Sequence, residues 1–204
     1  MSENALKSVL ILLAHPSPHR SEVNIALAQS LAEMDAVTLV DLYREYPTLE
    51  IDVDREQQRL RQHDIIVFLH PLYWYSAPAI LKEWQDLVLE YGFAYGSSGL
   101  ALKGKWFLNI ISAGGKAEAY QAEGYNHYTL AQLMRPFEMT ATLCHMDYLP
   151  ALVLFDARTA AEQHRILPHI QRVRATLRKL QSSATLSDAH AQLSQLLPSQ
   201  ADHD

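Results

Sequence analysis

His15, Ser21 and Asn24 bring an imidazole, a hydroxyl and an amide to the end of the apolar run Val9-Leu10-Ile11-Leu12-Leu13-Ala14. The pattern reads as a buried strand that stops abruptly, a short polar loop containing Pro16, Ser17, Pro18, His19 and Arg20, and a helix beginning near Ser21. Such a junction collects unpaired backbone N–H groups at the positive end of a helix, which suits a phosphate. The glycine patterns G-x-G-x-x-G and G-x-x-x-x-G-K-[ST] are absent from it. A phosphate here has to be held by His15, Ser21 and Asn24 together with backbone amides. That points away from nucleotide hydrolysis and towards flavin mononucleotide (FMN). Ser21 serves equally well as a plain helix cap.

Two further loops bear on that expectation. His70-Pro71-Leu72-Tyr73-Trp74-Tyr75-Ser76-Ala77-Pro78 packs three successive aromatics between two prolines at a strand exit. Three consecutive rings cannot all face one core, so at least one is expected at the surface. A planar isoalloxazine needs apolar contact along one side and backbone donors near its polar edge. Trp74 and Tyr75 offer both, although Trp74 also suits a core or interface anchor. Ser112-Ala113-Gly114-Gly115 permits close backbone approach to a ligand, or simply a tight turn.

The elements that position these loops alternate between strand and helix, which argues for a parallel sheet built from βαβ units. Strands are expected over 9–14, 37–42, 65–69, 105–112 and within 145–155. Helices are expected from Ser21 with Val23, Leu27, Leu31 and Met34 inward, over 54–63, and from Pro78 with Ile80, Leu81, Trp84, Leu87, Val88 and Tyr91 inward. Residues 130–143 read as helix, with Pro136 a kink or the true start. Thr159-Ala160-Ala161-Glu162 has the form of a capping box for a last helix with Leu167, Ile170, Val173, Leu177 and Leu180 inward. The expected fold class is α/β, a flavodoxin-like doubly wound five-stranded parallel sheet with helices on both faces. It is expected to occupy residues 1–181, followed by a weakly structured tail, 182–204, in which Leu186, Leu193, Leu196 and Leu197 are candidate docking residues. Ligands in such sheets sit beyond the carboxyl ends of the strands at the switch in strand order, where these three loops fall.

The bulk properties narrow the classes of function. The chain has 204 residues, 49% hydrophobic and 20% charged, with a formal net charge of −6. That charge gives no general attraction for nucleic acid. The basic run Arg165, Arg172, Arg174, Arg178 and Lys179 reads as a solvated helix face. Cys144 is the one cysteine, which fits a reducing cytoplasm and an inert buried thiol. His15-x-x-x-His19 lacks the further ligands a metal needs, and no G-x-S-x-G elbow marks a serine nucleophile. No metal is expected.

Taken together the loops resemble those of the NAD(P)H:quinone oxidoreductase family of flavodoxin-like FMN/FAD proteins. More narrowly, the chain is similar to the ancillary quinone reductases of bacterial glutathione-gated potassium efflux (Kef) systems. The resemblance rests on A-H-P at 14–16, S-x-x-N at 21–24, H-P-L-Y-W-Y-S at 70–76, L-K-E-W at 81–84, G-F-A-Y-G at 92–96, L-K-G-K at 102–105 and the S-A-G-G loop. It spans about residues 8 to 180. It implies bound FMN rather than FAD, NAD(P)H as co-substrate, two-electron reduction of quinones, and a homodimer with active sites at its interface. It also implies a cytoplasmic location, with a Kef-type antiporter at the inner membrane as a partner. In a rival reading of the same resemblance, the chain is a weakly catalytic or non-catalytic regulatory subunit of that antiporter.

By position, the resemblance assigns His15, Ser21, Glu22, Val23 and Asn24 to the flavin phosphate and ribityl chain. It assigns Leu72, Tyr73, Trp74 and Tyr75 to the isoalloxazine, and Ser112, Ala113, Gly114 and Gly115 to the pyrimidine edge. The family often has Thr-Thr-Gly-Gly there, so Ser112-Ala113 lacks one hydroxyl. It also places a tyrosine and a histidine in the next loop to handle charge on the reduced flavin. Tyr120 falls at the tyrosine position, but Asn126 occupies the histidine position and His127 follows it. Tyr120 and His127 are the candidate catalytic residues.

Overall fold

The apolar runs become the central strands of one parallel sheet. In a computed structural model, which describes residues 5–17, 19, 21–189 and 191, the strands are β1 (Val9–Leu13), β2 (Val37–Asp41), β3 (Ile65–Pro71), β4 (Trp106–Ser112), β5 (Asp147–Tyr148) and β6 (Leu152–Leu154). Their order is β2-β1-β3-β4-β5, with β6 also paired to β4, and each pairing is parallel. This is the flavodoxin-like order, and its switch point lies between β1 and β3.

β1, β3 and β4 are buried throughout, as strands covered on both faces must be. Alternation divides their side chains between two layers. Val9, Ile11 and Leu13 pack with α1 (Glu22–Ala32) and α7 (Ile166–Ser182). Leu10, Leu12 and Ala14 pack on the other side with α2 (Leu42–Glu45), α3 (Val53–Gln62), α4 (Ala79–Val88), α5 (Leu130–Leu133) and α6 (Arg135–Leu143).

That second layer holds a buried carboxylate. Glu56 on α3 accepts from the Tyr46 hydroxyl at 2.6 Å and from Trp84 Nε1 at 2.9 Å, and pairs with Arg59. Arg59 in turn reaches Glu45 at 2.8 Å. The charge of the fully buried Glu56 is thus compensated, and Arg59 and Glu45 continue the pairing to the half-buried rim.

Several local expectations yield to packing. The fifth strand is two short pieces, because Pro150 between them has no N–H for the ladder. Residues 130–143 form two helices, with Pro136 in the first turn of the second. The capping box expected at 159–162 does not form. Thr159 ends a 3₁₀ turn and donates to Asp156 Oδ2 at 2.9 Å, and α7 starts only at Ile166. A capping box does form at Thr129 and Gln132, opening α5. Leu87, Tyr91 and Leu167, expected inward, are exposed. The basic face of α7 is only partly solvated: Arg172 donates to Val153 O at 2.8 Å, and Arg174 bonds to Ser30. In the tail Leu186 packs on the first layer and Ala189 is buried. Leu193, Leu196 and Leu197 lie outside the described residues. No helix among the described residues is long and apolar enough to cross a membrane.

Candidate functional site

The loops after β1, β3 and β4 meet pairwise. Loop one joins loop three through Asn24 Nδ2, which donates to Ser112 Oγ at 2.8 Å. Loop two joins loop three through the Leu72 amide, which donates to Ser112 O at 2.8 Å. Loops one and two meet at His15 and Tyr73, whose rings stand edge to face at 6.0 Å.

Ser21 caps α1, its Oγ accepting from the Asn24 amide at 3.2 Å, and Glu22 lies in the first turn. The capping role is therefore real, and it leaves other first-turn amides free to meet an anion. Val23 is buried and contributes packing, while Glu22 is exposed. His15 is buried, and its Nδ1 accepts from the Ser17 amide at 3.1 Å. Burial pushes its imidazole below the usual histidine range. A neutral ring that accepts at Nδ1 carries its proton on Nε2, as a donor. Asn24 is almost fully buried, and its Oδ1 finds no donor among the described residues. An orphaned buried acceptor costs about 1–3 kcal/mol, and a ligand hydroxyl would satisfy it. Pro18 and Arg20 lie outside the described residues.

Loop two is a two-residue hairpin turn. Tyr73 and Ser76 exchange backbone hydrogen bonds at 3.1 and 3.0 Å, with Trp74 at φ 49° and Tyr75 at φ 63° between them. Positive φ at both central residues defines a type I′ turn, which ordinarily uses Asn-Gly. Two aromatics there carry backbone strain, a property concentrated at ligand sites. Trp74 is 94% exposed, and Tyr73 and Tyr75 are also exposed. Neither the Trp74 nor the Tyr75 amide donates to a described residue. Beneath the turn, buried His70 donates from Nδ1 to Pro71 O at 2.9 Å, which steadies the strand exit.

Loop three is fastened to the chain beyond β6. The Ala113 amide donates to Leu154 O at 2.9 Å, Asp156 N to Gly115 O at 2.8 Å and Ala157 N to Ala113 O at 2.9 Å. A Cβ at Gly115 would come within 3.1 Å of the Tyr120 ring, so the tyrosine lies against the backbone of the loop. Burial raises the Tyr120 phenol, while a hydrogen bond with Gly115 opposes that. His127 is exposed and makes no side-chain hydrogen bond to a described residue. Its neighbour Asn126 accepts from the Tyr75 hydroxyl at 3.4 Å. The structure thus brings Tyr120 to loop three and Asn126 to loop two.

Sequence reasoning missed one segment. Phe155-Asp156-Ala157-Arg158 follows the last strand, and Arg158 lies over Gly114. The rule that ligands gather at strand ends would have pointed there. Among the described residues no cluster could hold a metal ion.

The site has the parts a flavin requires: a capped helix N-terminus, a buried acceptor, an exposed aromatic turn with free amides and a glycine loop. Known proteins share the fold. Residues 7–177 match the family model for a flavodoxin-like fold. General stress protein 14 of Bacillus subtilis (strain 168) is 49% identical over 155 residues, 76% of this chain and 89% of that protein. The glutathione-regulated potassium-efflux system ancillary protein KefG of Yersinia enterocolitica is 49% identical over 150 residues, 74% and 82% of the two chains. Among solved structures, general stress protein 14 of Treponema denticola in complex with FMN superposes with a TM-score of 0.78 at 37% identity, covering 83% and 97%. An NADPH-quinone reductase from P. pentosaceus gives a TM-score of 0.71 at 35% identity, covering 80% and 96%. The chain belongs to the flavodoxin-like family of NAD(P)H:quinone reductases.

Proposed function

We propose that the protein is an FMN-dependent NAD(P)H:quinone oxidoreductase that reduces quinones by two electrons in a ping-pong sequence. The observation that carries this reading is the pairwise meeting of three strand-exit loops around Asn24, Ser112 and Tyr73. A bound flavin would supply the two-electron hydride chemistry between NAD(P)H and a quinone.

The chain's own residues bind and orient. The first turn of α1, Ser21 and His15 Nε2–H hold the phosphate, and Asn24 Oδ1 accepts from the ribityl chain. The Trp74 and Tyr75 amides meet the polar edge of the ring while their side chains, with Leu72 and Tyr73, exclude water from it. Ser112, Ala113, Gly114 and Gly115 line the pyrimidine edge. Tyr120, held against Gly115, supports negative charge there, and His127 or solvent carries the proton. A second copy of the chain covers the exposed aromatic turn, giving a homodimer.

Purified protein reconstituted with FMN is expected to show a bound-flavin absorption spectrum and to oxidise NADH or NADPH with a benzoquinone acceptor. Failure to take up FMN would sink the reading. The match to KefG favours a second role, as an ancillary subunit at the cytoplasmic face of a potassium-efflux antiporter. FMN binding without quinone turnover, together with restored potassium efflux in a deletion strain, would make that role primary.

A further inference from the structure

Among the described residues Arg158 has no charge partner and no hydrogen-bonded structural task. It is exposed, and among the described residues it forms no ion pair. The nearby carboxylate, Asp156, is already engaged. Thr159 Oγ1 donates to it at 2.9 Å, and Arg165 Nη2 lies 3.7 Å away. Arg165 also clips the turn by donating to Phe155 O at 2.8 Å and Asp156 O at 2.6 Å. The segment is therefore held without help from Arg158.

What the segment does is present one guanidinium to loop three. The backbone bonds from Asp156 to Gly115 and from Ala157 to Ala113 fix the approach. A Cβ at Gly114 would meet Arg158 Nε at 3.3 Å, Nη2 at 3.7 Å and Cζ at 3.8 Å. The guanidinium thus lies beside a residue with no side chain to hold it away. Lys116, the other exposed cation of the loop, lies beyond Gly115 at the start of the 3₁₀ turn 117–120. A planar, permanently charged group with free N–H donors suits a flat anion with oxygen and nitrogen acceptors in one plane.

We infer that Arg158 is a binding residue for the pyrimidine end of the cofactor, where its guanidinium compensates the negative charge gained on reduction. The inference rests on the flavin reading. It gives that charge a cationic partner, which neither Tyr120 nor Asn126 supplies. An uncharged oxidised ring gains little from the contact, so Arg158 acts on the difference between the two redox states.

The test is the midpoint potential of the FMN-loaded protein, measured for wild type, Arg158→Gln, Arg158→Lys and Lys116→Gln, with the dissociation constant of oxidised FMN and the thermal unfolding midpoint. Arg158→Gln is expected to weaken the preference for reduced over oxidised FMN about tenfold, a fall of about 30 mV for a two-electron couple. Arg158→Lys, which keeps the charge but not the planar fork, is expected to fall between wild type and Arg158→Gln. Unfolding midpoints should stay near that of wild type, because Arg158 holds no other residue in place. Wild-type protein that binds no FMN overturns the flavin reading and this inference together. Wild type that binds FMN, with a potential that Arg158→Gln does not move, overturns the inference alone. An unmoved potential with a raised KM for NADPH would do so too, by placing Arg158 on the co-substrate's phosphate. An equal shift in Lys116→Gln would show a general surface-charge effect, which also overturns it.

Discussion

Asn24 and Ser112, separated by 88 positions, are joined by a buried 2.8 Å hydrogen bond from the Asn24 amide to the serine hydroxyl. The bond ties the first turn of α1 to the end of β4 and sets how far apart the first and third loops stand. Ser112→Ala strands the Asn24 amide donor in the interior, at a cost of about 1–3 kcal/mol. The expected outcome is a lower denaturant midpoint and an FMN dissociation constant raised about five- to thirtyfold. A double-mutant cycle with Asn24→Ala should show strongly non-additive losses. Additive losses would mean that the bond does not couple the loops.

The Trp74-Tyr75 turn places two aromatics at positive φ. Replacing it by Trp74→Asn with Tyr75→Gly supplies the residues a type I′ turn favours and relieves strain at both positive-φ positions. Unfolding of the FMN-free protein is expected to become harder by about 1 kcal/mol. On the proposed function, FMN affinity should fall, because the ring contacts proposed for Trp74 and Tyr75 are removed. A variant that is both less stable and equally avid for FMN would contradict this account.

Glu56 is the buried charge on which three partners depend, with Tyr46, Trp84 and Arg59 all bonded to its carboxylate. Glu56→Ala leaves Arg59 facing only Glu45 and strips acceptors from Tyr46 and Trp84. A loss of about 3–5 kcal/mol is expected by chemical denaturation. Trp84→Phe removes one donor and keeps most of the packing, so its loss should be the smaller of the two. The Tyr46 phenol, pushed up to about 12 by burial and by Glu56, should titrate at lower pH in Glu56→Ala if that variant folds.

His169 on α7 sets an acid limit to stability. It is buried, and Arg172 Nη2 donates to its Nδ1 at 3.0 Å. Burial first, and the Arg172 charge second, bring its pKa from 6.5 down to about 4. Between those values the unfolded chain holds a proton that the folded one does not, so stability rises with pH through that window. The contribution is complete above about pH 6.5 and falls by about 3 kcal/mol as pH drops to about 4. His169→Gln should flatten the pH dependence of unfolding free energy by about one proton over that range. An unchanged slope would place the acid sensitivity elsewhere.

Much of the architecture was legible because its signals are local. The largely apolar runs at 9–14, 65–69 and 105–112 pointed to buried strands, which the structure has as β1, β3 and β4, and alternation with helices pointed to a parallel sheet. Ser21 as a cap, and Val23, Leu27, Leu31 and Met34 as the inward stripe of the first helix, also stand where the residue types put them. Local signals failed where a tertiary partner outbid them. Thr159 bonds to Asp156 instead of capping a helix, because Arg165 and the backbone of loop three already hold that turn. Leu87, Tyr91 and Leu167 follow helical spacing yet face outward, because spacing alone does not show where the packed surface ends.

The sequence by itself determined the strands, most of the helices and the three loops at the strand ends, since each follows from side chains a few positions apart. Only the tertiary structure decided which side chains in those loops touch. Asn24 against Ser112, His15 against Tyr73 and Arg158 over Gly114 are contacts between separate strand exits. No propensity or periodicity encodes them, because the sheet's strand order, and not spacing along the chain, sets those distances.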